Sequence, residues 1–281
     1  MYDPEVTPEF RVQVSFQICR SYRDLLESTR LAEDLGFTAM FRGDHLLPVD
    51  DSDDTITEAW TSLAGLARET RTIRLGTLVS PVTFRNPGLL ARTAATVHEM
   101  SEGRAEVGVG AGWYVREHEG FGLPLPPWPE RFDLLEEQLA IVRALLTGER
   151  VTMSTAHYRV DATLGPYLGG LTPPPIVLGG EGKPRTVSLA ARFANELNLD
   201  QITDAHAISR VFARLDTDLD AIGRPRDAVI RSMVLPFPAD LGQGAETIAA
   251  LQEAGVERFY MRRTSDMPLD RLEIFARRFM A

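Results

Sequence analysis

The stretch 73–110, IRLGTLVSPVTFRNPGLLARTAATVHEMSEGRAEVGVG, reads as one complete strand–helix–strand unit. Ile73–Val79 is rich in aliphatic and β-branched residues, the composition of a buried strand. Asn86-Pro87 then opens a helix over 88–101. The Asn side chain accepts from a free N–H of the first turn, and proline lacks the N–H that would go unpaired there. Gly103 stops the helix, and Arg104–Gly110 is the next strand. Two strands joined through a helix are expected to lie parallel.

Outward from this unit the pattern recurs on both sides. Residues 11–18 alternate apolar and polar as a strand does, and Ser21 with Asp24 opens a helix carrying Leu25, Leu26, Thr29 and Leu35 and ending at Gly36. A short strand at 37–41 and a helix over Thr57–Arg71 follow. On the other side, Glu130–Leu146 places Phe132, Leu135, Leu139, Val142 and Leu146 at helical spacings. Strands at Pro175–Leu178, Glu196–Leu199, Ala228–Phe237 and Arg258–Met261 alternate with helices at Pro184–Ala194, Ala205–Ile222, Ala245–Ala254 and Leu269–Met280. About eight such units predict an α/β chain closed into a (β/α)8 TIM barrel, a single domain over residues 1–281. Two stretches interrupt the repeat. Residues 42–56, with Asp50, Asp51, Asp53 and Asp54, form a loop on the catalytic face, and 148–174 is an excursion in which Tyr158–Val160 and Tyr167–Leu168 are expected to pair as a hairpin.

Composition narrows the function. With 281 residues, 44% of them hydrophobic, the chain can bury a large core. Thirty basic against 40 acidic side chains give a net charge of −10, which repels phosphate backbones and anionic lipid, so neither nucleic acid nor a membrane is expected as a partner. The single cysteine, Cys19, excludes an intramolecular disulfide. His98, His118, His157 and His206 show no metal-ligand spacing, no metal is expected, and His98 falls inside a predicted helix as a structural residue. No serine sits in a GxSxG elbow. Residues 1–10 lack the basic start and apolar stretch of a secretory signal, and a cytoplasmic location is expected.

On a barrel the chemistry belongs at the C-terminal strand ends. Those ends hold Phe16 and Gln17, Asp44-His45, Leu78-Val79-Ser80, Ala111-Gly112-Trp113, and Gly179-Gly180-Glu181-Gly182 with Arg185 just beyond. The last run suits an anion held by backbone N–H groups at a helix start, or else a tight turn that needs positive φ. Gly108–Gly112 lacks the third glycine of a dinucleotide fingerprint, which leaves close approach to a flat ring or tight strand packing. Asp44-His45 offers an imidazole beside an acid, suited to proton transfer, or a loop cap. Phe16, Trp60, Phe84 and Trp113 either wall an apolar ligand or pack in the core.

The order of motifs, GDH at 43–45, LGTLVSPVTFRNP at 75–87, GVGAGWYVREHEGFG at 108–122, ERFDLLEEQLAIVRALLTG at 130–148 and PPPIVLGGEGKPRTVSLAARFANE at 173–196, resembles the bacterial luciferase-like monooxygenase superfamily over about residues 10–200. Within it the chain is similar to the actinobacterial coenzyme F420-dependent oxidoreductases. The resemblance implies a barrel that holds coenzyme F420, or in the alternative FMN, with the ring on a non-prolyl cis peptide at Leu78-Val79 or Val79-Ser80. It implies cofactor contacts from Asp44, His45, Leu78, Val79, Ser80, Ala111, Gly112, Gly179, Gly180, Glu181, Gly182 and Arg185. His45 with Asp44 would be the catalytic pair, and Phe16, Gln17, Trp60 and Trp113 would meet the substrate.

The implied activity is hydride transfer between reduced F420 and a small organic substrate, reducing C=C, C=N or C=O. The alternatives are an FMN-dependent two-component monooxygenase and a non-catalytic flavin-binding barrel. A homodimer and a separate flavin or F420 reductase are the implied partners. The sequence departs from the sugar-phosphate dehydrogenases of this superfamily, which carry a catalytic glutamate where this chain has Trp113; Tyr114 and Leu197 replace a frequent Asn and Trp. These departures imply a less polar substrate. The oligoglutamate tail of F420 calls for a local basic patch, expected from Arg85, Lys183 and Arg185.

Overall fold

A computed structural model describes residues 8–50, 52–166 and 170–280. Strands β1 (Glu9–Val14) and β2 (Ala39–Arg42) flank helix α1 (Tyr22–Asp34), and α2 (Ala59–Glu69) leads to β3 (Arg74–Thr77) and β4 (Ser80–Pro81). Next come α3 (Pro87–Met100), β5 (Ala105–Gly110), a short α4 (Val115–Phe121), α5 (Trp128–Leu146) and the pair β6 (Val151–Ser154) and β7 (Arg159–Ala162). The chain continues through β8 (Ile176–Gly180), α6 (Pro184–Phe193), β9 (Glu196–Leu199), α7 (Ala205–Ala221), β10 (Ile230–Pro236), α8 (Leu241–Glu253), β11 (Arg258–Arg263) and α9 (Asp270–Phe279).

The strands run β3-β2-β1-β11-β10-β9-β8-β5, all parallel, and β5 closes the ring on β3 and β4. β3 and β4 therefore share one staff of an eight-staved barrel, interrupted by Leu78-Val79. Strand alternation sorts side chains between two cores. Phe10, Val12 and Val14 join the large apolar layer between barrel and helices, whereas Arg11 faces the barrel interior.

That interior is charged in its lower half. Arg11 donates to Glu106 at 2.7 Å and to the Tyr260 hydroxyl at 2.9 Å, Arg258 pairs with Glu196 and Glu9, and Arg74 pairs with Glu106. Charges this deep persist because each is matched and hydrogen-bonded. Burial alone would raise the Glu9 carboxyl, but Arg11, Arg258 and the Thr38 hydroxyl bring it down to about 2. Phe41 meets Tyr260 edge-on at 5.0 Å, with Ala39, Val177, Val234 and Leu78 packed around them. Among the described residues the barrel floor is thus filled by packed and paired side chains.

Several boundaries differ from expectation. β1 ends at Val14 because Ser15 turns the chain into a short 3-10 helix at Ile18–Arg20. α8 begins at Leu241, four residues before the expected Ala245, because the Asp240 carboxylate caps it by accepting from Gln243 N–H at 2.8 Å. In the excursion, the strand around Tyr158–Val160 pairs antiparallel with Val151–Ser154. The expected partner Tyr167–Leu168 lies outside the described residues. His98 is buried between the Ala105 and Thr172 carbonyls, as a structural histidine should be.

Candidate functional site

The mouth is organised around the break between β3 and β4. The Leu78–Val79 peptide is cis, the first of the two bonds considered from the sequence. The strand glycines make room for it. A Cβ on Gly108 would lie 1.7 Å from the Thr77 carbonyl, and one on Gly110 or Gly179 would lie 2.5 or 2.7 Å from a methyl of Val79. Val79 is therefore seated between β5 and β8, and the tight-packing reading of Gly108–Gly112 is the one these contacts support.

Beneath the bulge, Asp44 is fully buried. It accepts from Ser80 Oγ at 2.6 Å and from Arg85, whose Nη2 lies 3.2 Å from Oδ1. Burial pulls the Arg85 guanidinium down, yet Asp44 and Glu58 hold it above its ordinary value. The Asp44 oxygens are committed to Ser80 and Arg85, so the acid beside His45 in the sequence makes no described bond to the imidazole. Arg85 is likewise spent here and adds nothing to a basic patch. Trp60 sits under the same cluster, 2% exposed, its indole N–H donating to Ser80 at 3.1 Å. The indole N–H expected to meet the substrate is engaged inside the protein, because a buried indole needs an acceptor and Ser80 provides it.

His45 emerges above Asp44 and finds a different acid. Its Nδ1 donates to Glu117 Oε1 at 3.2 Å, and the Leu46 N–H donates to the same carboxylate at 2.9 Å. Glu117 is buried on α4, while the imidazole keeps partial exposure and its Nε2 makes no hydrogen bond among the described residues. Trp113, 58% exposed, and Tyr114 meet the imidazole edge-on at 5.9 and 6.1 Å. Sequence reasoning missed Glu117 because the short α4 went unread. Phe16 and Gln17 lie on the turn after β1; the Arg20 guanidinium stacks 5.9 Å over Phe16, and the buried Gln17 Oε1 has no partner among the described residues.

The β8 turn, Gly179 to Gly182, carries positive φ at Gly182, where a Cβ would strike Val211 at 2.7 Å. Arg185 does not face this turn. It pairs with Asp133, lies 3.6 Å from Glu136 and donates to the Pro129 carbonyl at 3.2 Å, so the nearby acids of α5 have captured it. The contact also brings the starts of α5 and α6 together. Beside them is Arg131, 6% exposed, which donates to the Gly112 carbonyl at 2.6 Å, stacks 3.8 Å over Trp128, has no carboxylate partner among the described residues and leaves Nε unbonded. A guanidinium near a helix N-terminus opposes the helix dipole, and that was the signal available in the sequence. A cleft of about 610 Å³ is lined by Glu181, Gly182, Lys183, Arg210 and Arg214 among others. Among the described residues no cluster of three or more ligating side chains could hold a metal, and no helix is long and apolar enough to cross a membrane.

The family described as luciferase-like monooxygenase matches residues 6–271. An F420-dependent glucose-6-phosphate dehydrogenase of Microbacterium testaceum is 36% identical over 209 residues, covering 73% of this chain and 61% of that protein. An F420-dependent hydroxymycolic acid dehydrogenase of Mycobacterium tuberculosis is 30% identical over 201 residues, 68% of this chain and 54% of that protein. This chain thus spans little more than half of the length of these relatives. Among solved structures, an F420-dependent secondary alcohol dehydrogenase in complex with an F420-acetone adduct superposes with a TM-score of 0.81 at 19% identity, over 97% of this chain and 98% of that one.

Proposed function

The chain belongs to the luciferase-like monooxygenase family, and from that premise we propose that it moves a hydride between coenzyme F420 and a small, weakly polar organic substrate at the C-terminal mouth of the barrel. The observation that carries the reading is His45, fixed by buried Glu117 through Nδ1, with Nε2 unbonded among the described residues and Trp113 edge-on to the ring at 5.9 Å. The curated relatives named above are F420-dependent dehydrogenases, which favours the deazaflavin over FMN.

The residues present fit such a cofactor. The bulge at Leu78-Val79-Ser80, seated between Gly110 and Gly179, offers a flat ring a backbone platform. Ala111 and Gly112 follow β5 beside it, and the backbone of the Gly179–Gly182 turn suits a phosphate; Arg131, held on the Gly112 carbonyl with no carboxylate partner among the described residues, is a candidate countercharge in place of Arg185. Bound F420 would supply a hydride donor or acceptor and no oxygen chemistry.

The protein's own part is proton handling and orientation. The carboxylate of Glu117 accepts from Nδ1, so the exchangeable proton of His45 resides at Nε2. In the reducing direction Nε2–H would give its proton to the heteroatom of a C=X substrate; in the oxidative direction neutral Nε2 would take a proton from the substrate's X–H group. Trp113, 58% exposed and edge-on to His45, stands where the resemblance implies the catalytic glutamate of sugar-phosphate dehydrogenases, which favours an apolar group on the substrate. A homodimer and a reductase that regenerates the cofactor complete the proposal.

Titrating the protein in parallel with F420 and FMN, by tryptophan quenching, tests it. Preferential F420 binding with oxygen-independent turnover is the expected result. FMN preference with oxygen uptake would shift the reading to a two-component monooxygenase, and tight binding without turnover to a binding barrel. In the active protein His45→Ala should lower kcat on the order of 10²-fold or more with little change in cofactor Kd.

A further inference from the structure

His118 is buried and titratable, stands next to Glu117 on α4, and plays no part in the chemistry above. Its Nδ1 donates to the Tyr114 carbonyl at 2.7 Å, one turn back at the N-cap of the helix. A carbonyl can only accept, so in the neutral ring Nε2 is the acceptor and the Thr83 hydroxyl donates to it at 2.7 Å. Thr83 is itself held to the barrel frame. It follows β4, the Val82 N–H donates to the Gly110 carbonyl at 2.9 Å, and Gln138 of α5 donates to the Arg85 carbonyl at 3.0 Å. Phe84 packs on the imidazole at 5.2 Å between ring centroids, and a Cβ on Gly112 would crowd Thr83 Oγ1 at 3.3 Å. Helix α4 needs such a tie, because seven residues are too few to hold a helix in place unaided. The Tyr114 hydroxyl donates to the Pro48 carbonyl at 2.9 Å and Arg116 to the Ser52 carbonyl at 3.0 Å, but both acceptors belong to the loop that carries His45. The Thr83 bond ties α4 to the strand break instead.

We infer that His118 is a positioning residue: its bond to Thr83 fixes α4 against the segment after the Leu78–Val79 bulge and so sets where the Glu117 carboxylate meets His45 Nδ1. The inference rests on the reading of His45 as the proton-handling group. Neither His118 nor Thr83 is assigned a contact with substrate or cofactor. The bulge and the catalytic imidazole are then linked through Thr83, His118 and Glu117, so that the orientation of His45 is referred to the same strand break that would seat the ring.

The tautomer of His45 in the ligand-free full chain tests it, read from imidazole 15N shifts at about pH 9, where a free imidazole is neutral. The parent should carry the His45 proton mainly on Nδ1. Thr83→Val keeps the shape, removes the hydroxyl and should move His45 to a mixture of both tautomers. Thr83→Ser keeps the hydroxyl and should restore the parental signal, and His118→Asn should act as Thr83→Val does. In F420-dependent turnover Thr83→Val should lower kcat roughly tenfold and leave the F420 Kd within about twofold. An unchanged tautomer in Thr83→Val overturns the inference even where stability falls, because a packing role alone predicts that result. A loss that Thr83→Ser does not rescue overturns it as well. A parent with the proton on Nε2 overturns both this inference and the role of His45. Failure of F420 to bind the parent overturns the F420 reading alone, since the tautomer is read without cofactor.

Discussion

At the level of single residues, the site turns on which acid a histidine finds. Adjacency suggested Asp44 for His45, but successive residues leaving a strand point in different directions, and Asp44 goes down to Ser80 and Arg85 while His45 goes up to Glu117. Glu117→Gln keeps the shape and removes the charge that fixes Nδ1–H. It should lower kcat on the order of 10²-fold and change the pH profile of kcat, with cofactor Kd nearly unchanged. A variant with unaltered kcat and profile would reduce Glu117 to packing. Arg185 and Arg131 teach the same lesson. Proximity in sequence to the β8 turn favoured Arg185, yet the acids of α5 take it, while Arg131 of α5 reaches the Gly112 carbonyl with no carboxylate partner among the described residues.

Secondary-structure elements explain the glycines. Gly108, Gly110 and Gly179 belong to three-dimensional neighbours of one bulge, and each lies where a methyl group would meet Thr77 or Val79. Gly108→Ala should destabilise the protein by about 3 kcal/mol in chemical denaturation, because backbone and not a flexible side chain is in the way. Gly120→Ala is the control. It lies in α4 with only an ordinary contact to Leu47 at 3.5 Å, so it should be neutral or stabilise by up to about 1 kcal/mol. Equal losses for the two would mean that the strand glycines are not there for the bulge. Element boundaries were readable where a cap was read, as at Asn86-Pro87, and displaced where it was overlooked, as at Asp240.

Across the whole molecule the barrel interior is held by matched charges, and this sets its response to acid. The Glu9 carboxyl lies at about 2 in the folded protein against an ordinary 4.5, so its contribution is fully present above pH 4.5 and is lost as pH falls toward 2. The shift corresponds to at most about 3 kcal/mol. The Glu106 carboxyl is lowered as well, despite complete burial, by Arg11 and Arg74, and acts in the same direction. Glu9→Gln should be less stable at neutral pH and lose less on acidification to pH 2 than the parent. An unchanged acid titration of stability would place the linkage elsewhere.

Periodicity, caps and stops in the chain determined the repeat, and the repeat determined a closed barrel, because eight parallel strands joined by helices have few other ways to bury both faces. The motif order determined the family, and the mouth of the barrel as the place for chemistry followed from the fold. Only the tertiary structure decided that His45 pairs with Glu117, that Asp44 and Trp60 are buried supports, that Arg185 is sequestered, and that Arg131 has no carboxylate partner among the described residues. The reason is physical. Local sequence sets backbone conformation over a few residues, whereas hydrogen-bond and ion-pair partners are chosen among groups many residues apart, by competition that exists only once the barrel has closed.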